Sequence, residues 1–149
     1  MAMPMVTAAS LHNPHFARLG GAVAVQRLVD AFYLQMQQRP QAAAIRALHP
    51  ADLGPVRQAL VDYLTEWTGG PPRYTPRRGP PRLGRVHAPF ALGPEAADAW
   101  LDCMDAALLA TVPERALRDE LHDAFARVAR HLARHGRTAA PTSSPENRT

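Results

Sequence analysis

Residues 69–90 read GGPPRYTPRRGPPRLGRVHAPF, and five prolines and four glycines precede His87 within them. Proline removes an amide donor and clashes with the preceding turn, so the composition predicts a loop rather than a helix, with room for one helical turn just before His87. The missing donors also bar a central strand. Tyr74, Leu83 and Phe90 supply apolar anchors that a free linker would lack. Five arginines (Arg73, Arg77, Arg78, Arg82 and Arg85) line the segment, with no acid among them. A stiff cationic loop therefore delivers one histidine between two halves of the chain. That suits a ligand that is anionic at one end and takes one imidazole, and haem, with two propionates and an iron, meets the description.

Both flanking halves read as helical. Alanine, leucine and arginine dominate and β-branched residues are sparse, a composition of good helix formers. Upstream, Pro14 to Leu19 reads as a short helix stopped by Gly20-Gly21. Ala22 to Arg39 reads as a long one, with Val25, Val29 and Tyr33 in one row and Leu28, Phe32 and Met36 in the next. Residues 41–48 form a short helical piece closed by His49-Pro50. Asp52 is placed to cap the next helix, Pro55 sits in its first turn, and Val56, Leu60, Tyr63, Leu64 and Trp67 form its stripe before Gly69-Gly70. Downstream, Pro94 opens a helix to about Ala110 whose face is Trp100, Cys103, Met104, Ala107 and Leu108. Thr111 is expected to cap the last helix, with Pro113 and Glu114 in its first turn, Leu117, Leu121, Phe125, Val128 and Leu132 on its face, and an end near His135-Gly136. The expectation is all-α: two antiparallel pairs stacked two over two, with a cleft beside the loop. Residues 1–13 are expected to be a flexible extension, 14–136 the domain and 137–149 a disordered polar tail.

At 149 residues, 46% of them apolar, the chain has the size of one domain with a sizeable core. Its formal charge of +4 is modest and its arginines are dispersed, which speaks against nucleic-acid binding. No apolar run reaches the length of a membrane span. The start of the chain lacks the pattern of a secretory signal, and a single cysteine, Cys103, suits a reducing compartment; a cytoplasmic location is expected. Cys103 reads as a small core residue. The pair His131 and His135 at helical spacing reads as solvated rather than metal-binding. There is no phosphate-cradling glycine loop and no paired-cysteine metal spacing.

Several short motifs in order carry a resemblance. They are Leu19-Gly20-Gly21, Phe32-Tyr33, His49-Pro50-Ala51-Asp52-Leu53, Trp67-Thr68-Gly69-Gly70-Pro71, Tyr74, Gly79-x-Pro81-Arg82-Leu83, His87-Ala88-Pro89-Phe90 and Ala99-Trp100-Leu101-Asp102-Cys103-Met104. Together, over about residues 16–133, the chain resembles the group II truncated haemoglobins. The resemblance implies a two-over-two helical sandwich holding haem b, iron protoporphyrin IX. His87 matches the proximal iron ligand, Tyr33 the distal tyrosine and Trp100 the tryptophan whose indole N–H meets bound ligand. His49 stands at a variable distal turn position, and Val56 and Leu60 match distal apolar positions. Arg82 is the first choice for a propionate, with Arg77, Arg78, Arg85 and Arg57 as further candidates. Tyr74, Phe32, Leu83 and Phe90 complete the expected haem contacts. Two departures stand near the haem edge: Gly79-Pro80-Pro81 where the family commonly has Gly-His-Pro, and Val86 where it commonly has arginine.

The implied function is reversible binding of diatomic ligands (O2, CO, NO). Donors at Tyr33, Trp100 and His49 would slow ligand escape, because a hydrogen bond to a charged acceptor contributes roughly 1.5–3 kcal/mol. Slow release favours oxygen, nitric oxide or peroxide redox chemistry over bulk oxygen transport. Nitric oxide dioxygenase or peroxidase-like turnover would need a separate electron-donating reductase. A haem-based sensor, or a helical interaction module that has lost haem, are the alternatives. No membrane or nucleic-acid partner is expected, and the oligomeric expectation is a monomer or homodimer.

Overall fold

The computed structural model describes residues 15–83 and 93–139. Seven helices are described: α1 (Phe16–Leu19), α2 (Ala22–Gln38), α3 (Ala43–Ala47, entered through a single 3-10 turn at Pro40–Ala42), α4 (Gly54–Trp67), α5 (Thr75–Arg78), α6 (Pro94–Thr111) and α7 (Arg115–Ala139). The described residues contain no strand. The expected N-terminal extension, the end of the tail, and Arg85, Val86, His87 and Phe90 lie outside the described residues.

The apolar rows of α2 do what their spacing predicts. Val25, Leu28, Val29, Phe32, Tyr33 and Met36 are all buried. They pack on α4 on one side and α6 on the other, and α6 packs in turn on α7. The result is the two-over-two sandwich, α2 with α4 and α6 with α7. Cys103, Met104, Ala107 and Leu108 close the core from α6, and Leu117, Leu121 and Phe125 from α7. Cys103 is fully buried, and burial pushes its thiol pKa up.

The turn between α1 and α2 uses Gly20 and Gly21 at φ +114° and +81°, a region that costs glycine little. Helix α1 is tied down twice. His15 and Phe16 donate their amides to Thr68 O, both at 2.8 Å, and Arg18 Nη1 donates to Glu120 Oε1 on α7 at 2.8 Å. Gly70 allows this seat, since a Cβ there would lie 2.6 Å from Phe16 Cδ1 and 2.8 Å from the Thr65 carbonyl oxygen.

Five local expectations need correction. The loop contains a helical turn, α5, earlier than the one expected just before His87, because Pro76 falls in its first turn, where the missing amide is not needed. Thr111 does not cap α7. It is the last residue of α6, its Oγ1 donating back to Ala107 O at 2.8 Å, and the first α7 hydrogen bond runs from Arg118 N to Glu114 O at 3.1 Å. Pro113 and Glu114 therefore precede the helix. Finally, α7 runs through Gly136 to Ala139. A glycine inside a helix costs only about 1 kcal/mol, so it is a weak stop; the strong one in the sequence is Pro141. Asp52, expected as the cap of α4, stands one residue before the capping position, which Leu53 occupies; its Oδ1 accepts from the Gly54 amide at 2.9 Å.

Candidate functional site: an apolar cavity between α2, α4, α6 and α7

A cavity of about 450 Å³ opens between the two helix pairs. Its size and lining are those of a small-molecule site, mostly apolar walls with few polar groups. Of the residues expected at the site, Tyr33, His49, Val56, Leu60, Tyr74, Leu83 and Trp100 all line it. Trp100 is half-buried because it borders the cavity. Phe32 stands one layer behind. It is buried in the core, with its ring 5.0 Å from that of Tyr33 and 5.3 Å from that of Trp100. It supports the wall rather than forming it.

The wall holds more than the motifs foretold. Tyr63 and Trp67 line it from α4, and Phe125, Val128 and Leu132 from α7. The signal was present as apolar stripes, but a stripe does not say whether it faces a core or a cavity. Aromatic rings run along the wall without a break. Trp100 meets Phe125 at 5.7 Å, Phe125 meets Trp67 at 4.9 Å, Trp67 stacks on Tyr63 at 6.2 Å, and Tyr63 meets Tyr74 edge-on at 5.7 Å.

Tyr33, Trp100 and His49 bring polar groups to this wall, as Tyr63, Trp67 and Tyr74 do further along it. Burial pushes the Tyr33 phenol up to about 12, with Arg57 pulling the other way, so Tyr33 stays a hydroxyl donor at neutral pH. Neither its hydroxyl nor the Trp100 indole N–H has a hydrogen-bond partner among the described residues. His49 is fixed by its turn. Its Nδ1 donates to Ile45 O at 2.8 Å, which places the proton on Nδ1 in the neutral ring and leaves Nε2 as the acceptor. Its ring meets Tyr33 edge-on at 6.0 Å. Arg46 braces the same turn through Pro50 O and Ala51 O at 3.1 and 3.3 Å.

The loop side is built from charge. Asp62 on α4 is 1% exposed and accepts from Arg78 Nη1 at 2.8 Å, Arg77 Nη1 at 2.9 Å and Gln58 Nε2 at 3.0 Å. Burial would raise its pKa, but the hydrogen bonds from Arg78, Gln58 and Arg77 outweigh this and hold it below the usual carboxylate range. One turn on, Glu66 caps α5, accepting from the Tyr74 and Thr75 amides at 3.1 and 2.9 Å and from Thr75 Oγ1. The sequence showed no acid within the loop. The acids that pair with it stand on α4, four residues apart. Arg77 and Arg78, expected as propionate candidates, are thus engaged by Asp62, and Arg78 also lies 5.2 Å over the Tyr74 ring. Arg82 is exposed and does not line the cavity. Arg57 sits on the ligand side, its guanidinium 5.8 Å from the centre of the Tyr33 ring.

A family model described as bacterial-like globin matches residues 15–134. A group 2 truncated hemoglobin of Bacillus subtilis, YjbI, is 35% identical over 112 residues, which is 75% of this chain and 83% of that protein. Among solved structures, a group II 2-on-2 hemoglobin from Agrobacterium tumefaciens superposes with a TM-score of 0.75 at 36% identity, covering 89% of this chain and 97% of its own. A truncated oxygen-avid haemoglobin from Bacillus subtilis superposes at 0.72 with 34% identity, over 80% and 98% of the two chains. The chain belongs to the bacterial-like globins, and within them to the group II truncated haemoglobins. Membership carries haem binding and the binding of diatomic gases. The cavity fits such a group: apolar walls from four helices, donors at Tyr33 and Trp100 that have no partner among the described residues, and a cationic loop at one side. No described helix is long and apolar enough to cross a membrane.

Proposed function

We propose that this chain is a haem b globin that holds oxygen tightly and serves oxygen, nitric oxide or peroxide redox chemistry rather than bulk oxygen transport. The observation that carries the reading is the pair of donors, Tyr33 O–H and Trp100 N–H, without a partner among the described residues, on the wall of one apolar cavity. When bound, haem supplies an iron that takes a diatomic ligand and exchanges electrons. The chain's own residues supply the rest. His87 would hold the iron, and Val56 and Leu60 on the cavity wall would keep water away from the bound ligand. Tyr33 and Trp100 each offer a proton to a ligand that gathers negative charge; a hydrogen bond of this charged kind contributes roughly 1.5–3 kcal/mol. His49, with Nδ1 engaged by Ile45, offers its second nitrogen to the same network. Arg82 remains the propionate candidate, since Arg77 and Arg78 are already held by Asp62. Tyr74 and Leu83 on the cavity wall, with Phe90, would hold the macrocycle by apolar contact, with Phe32 behind Tyr33 and Trp100. The oxygen-avid relative in Bacillus subtilis supports slow release. Electrons for turnover come from a separate reductase, and the setting is the cytoplasm.

Absorption spectra of the purified protein test the reading. A strong Soret band that shifts on dithionite reduction, and again under carbon monoxide, is the expected result. His87→Ala should then lose or weaken haem retention. No Soret band after adding haemin would overturn the reading, and unchanged haem content in His87→Ala would remove that residue from the site.

A further inference from the structure

Arg57 stands on α4 immediately after the distal-wall residue Val56, and its surroundings are unusual for an arginine. Its guanidinium carbon lies 5.8 Å from the centre of the Tyr33 ring, over the ring face. Its Nε is buried with no hydrogen-bond partner. The acid it reaches, Asp30, is 3.8 Å away at Nη1, too long for a hydrogen bond, and Asp30 is itself held one turn back by Gln26 Nε2 at 3.0 Å. A buried N–H without an acceptor is costly, so the electron-rich face of Tyr33 is what compensates this side chain. Asp30 and Tyr33 are three residues apart on α2 and so share one face of it. The guanidinium bridges that face to α4.

We propose that Arg57 is a positioning residue for Tyr33: it clamps the phenol ring from α4 and strengthens its hydroxyl as a donor to the bound ligand. Two physical effects act in the same direction. A cation over the ring draws electron density from the phenol, which makes the O–H a better donor. The ring, already met edge-on by Phe32 and His49, is also closed on a face, which restricts its rotation. Arg57 does not line the cavity, so it acts through Tyr33 rather than on the ligand.

The inference rests on the haem reading above, and its test separates the two. The infrared C–O stretching band of the ferrous carbon monoxide complex reports donors near the ligand. It is to be recorded for wild type, Arg57→Met, Arg57→Lys, Tyr33→Phe and the Arg57→Met/Tyr33→Phe double variant, together with oxygen dissociation rates. Arg57→Met is expected to move the band towards the Tyr33→Phe position and to speed oxygen release about two- to fivefold, the range of a cation–π contact of this exposure. Arg57→Lys should restore part of both. In the Tyr33→Phe background, Arg57→Met should change nothing further, as befits an effect that passes through Tyr33. A wild-type band in Arg57→Met, an additive effect in the double variant, or a band that Tyr33→Phe itself leaves unmoved would each overturn the proposal while the haem reading stands. Absence of a carbon monoxide complex in wild type would overturn both.

Discussion

The two sides of the cavity are built by opposite rules. On the ligand side, Tyr33 and Trp100 are set in apolar walls with their polar tips unpaired among the described residues. On the loop side, the acids of α4 are saturated: Asp62 takes three donors and Glu66 takes three more. Donors left unpaired in an apolar wall gain most from an acceptor that enters the cavity. Paired charges hold a segment that lacks the hydrogen bonds of regular structure. The same helix, α4, serves both, with Val56 and Leu60 on the cavity and Asp62 and Glu66 on the loop.

The contrast can be broken hardest at Asp62. Asp62→Asn leaves two guanidinium groups without their carboxylate, and a loss of roughly 2–3 kcal/mol is expected in urea denaturation. The figure falls short of that for a fully buried pair because Arg77 is 56% and Arg78 31% exposed. A change below about 0.5 kcal/mol would show that the loop holds without the clasp. Acid should produce the same loss gradually. The folded Asp62 pKa lies below its ordinary value, so its contribution is complete above the unfolded carboxylate pKa and disappears as pH falls through the folded value. Thermal midpoints taken from neutral pH down through the carboxylate range should fall less steeply in Asp62→Asn than in wild type.

Trp100→Phe removes a donor and keeps the ring. Oxygen dissociation should rise by at least about tenfold, the lower end for a charge-assisted hydrogen bond; a rate within about twofold of wild type would place the indole out of ligand contact. His49→Leu is the finest probe. The variant removes the ring that meets Tyr33 edge-on at 6.0 Å and should speed oxygen dissociation by less than Trp100→Phe does, by about two- to fivefold for one modest contact; a wild-type rate would place His49 outside the ligand network.

Much of this was legible in the chain before any coordinates. The i, i+3, i+4 rows of α2 named its buried face residue by residue, because helical periodicity turns spacing directly into a face. The short motifs singled out Tyr33, His49, Val56, Leu60, Tyr74, Leu83 and Trp100, which all line one cavity, together with Phe32 and Arg82, which do not. Local rules failed where two strong signals met. Prolines argued against helix in the loop except for one turn just before His87, yet a turn forms earlier, at α5, where Pro76 falls in the first turn and needs no amide donor. Thr111 looked like a cap, yet its hydroxyl bonds backward into α6.

Composition and periodicity determine the helices, the apolar faces and the cationic loop, since each depends on residues within a few turns of one another. What belongs to the tertiary structure alone is partnership across the sandwich. Arg77 and Arg78 find Asp62 15 and 16 residues away in the chain, Phe125 closes the wall begun by Trp67 and Trp100, and Arg57 lies over Tyr33. An arginine carries the same charge in every fold; whether it meets a carboxylate, a ring or water depends on which helices pack together, and so on the burial of apolar faces far from the arginine itself.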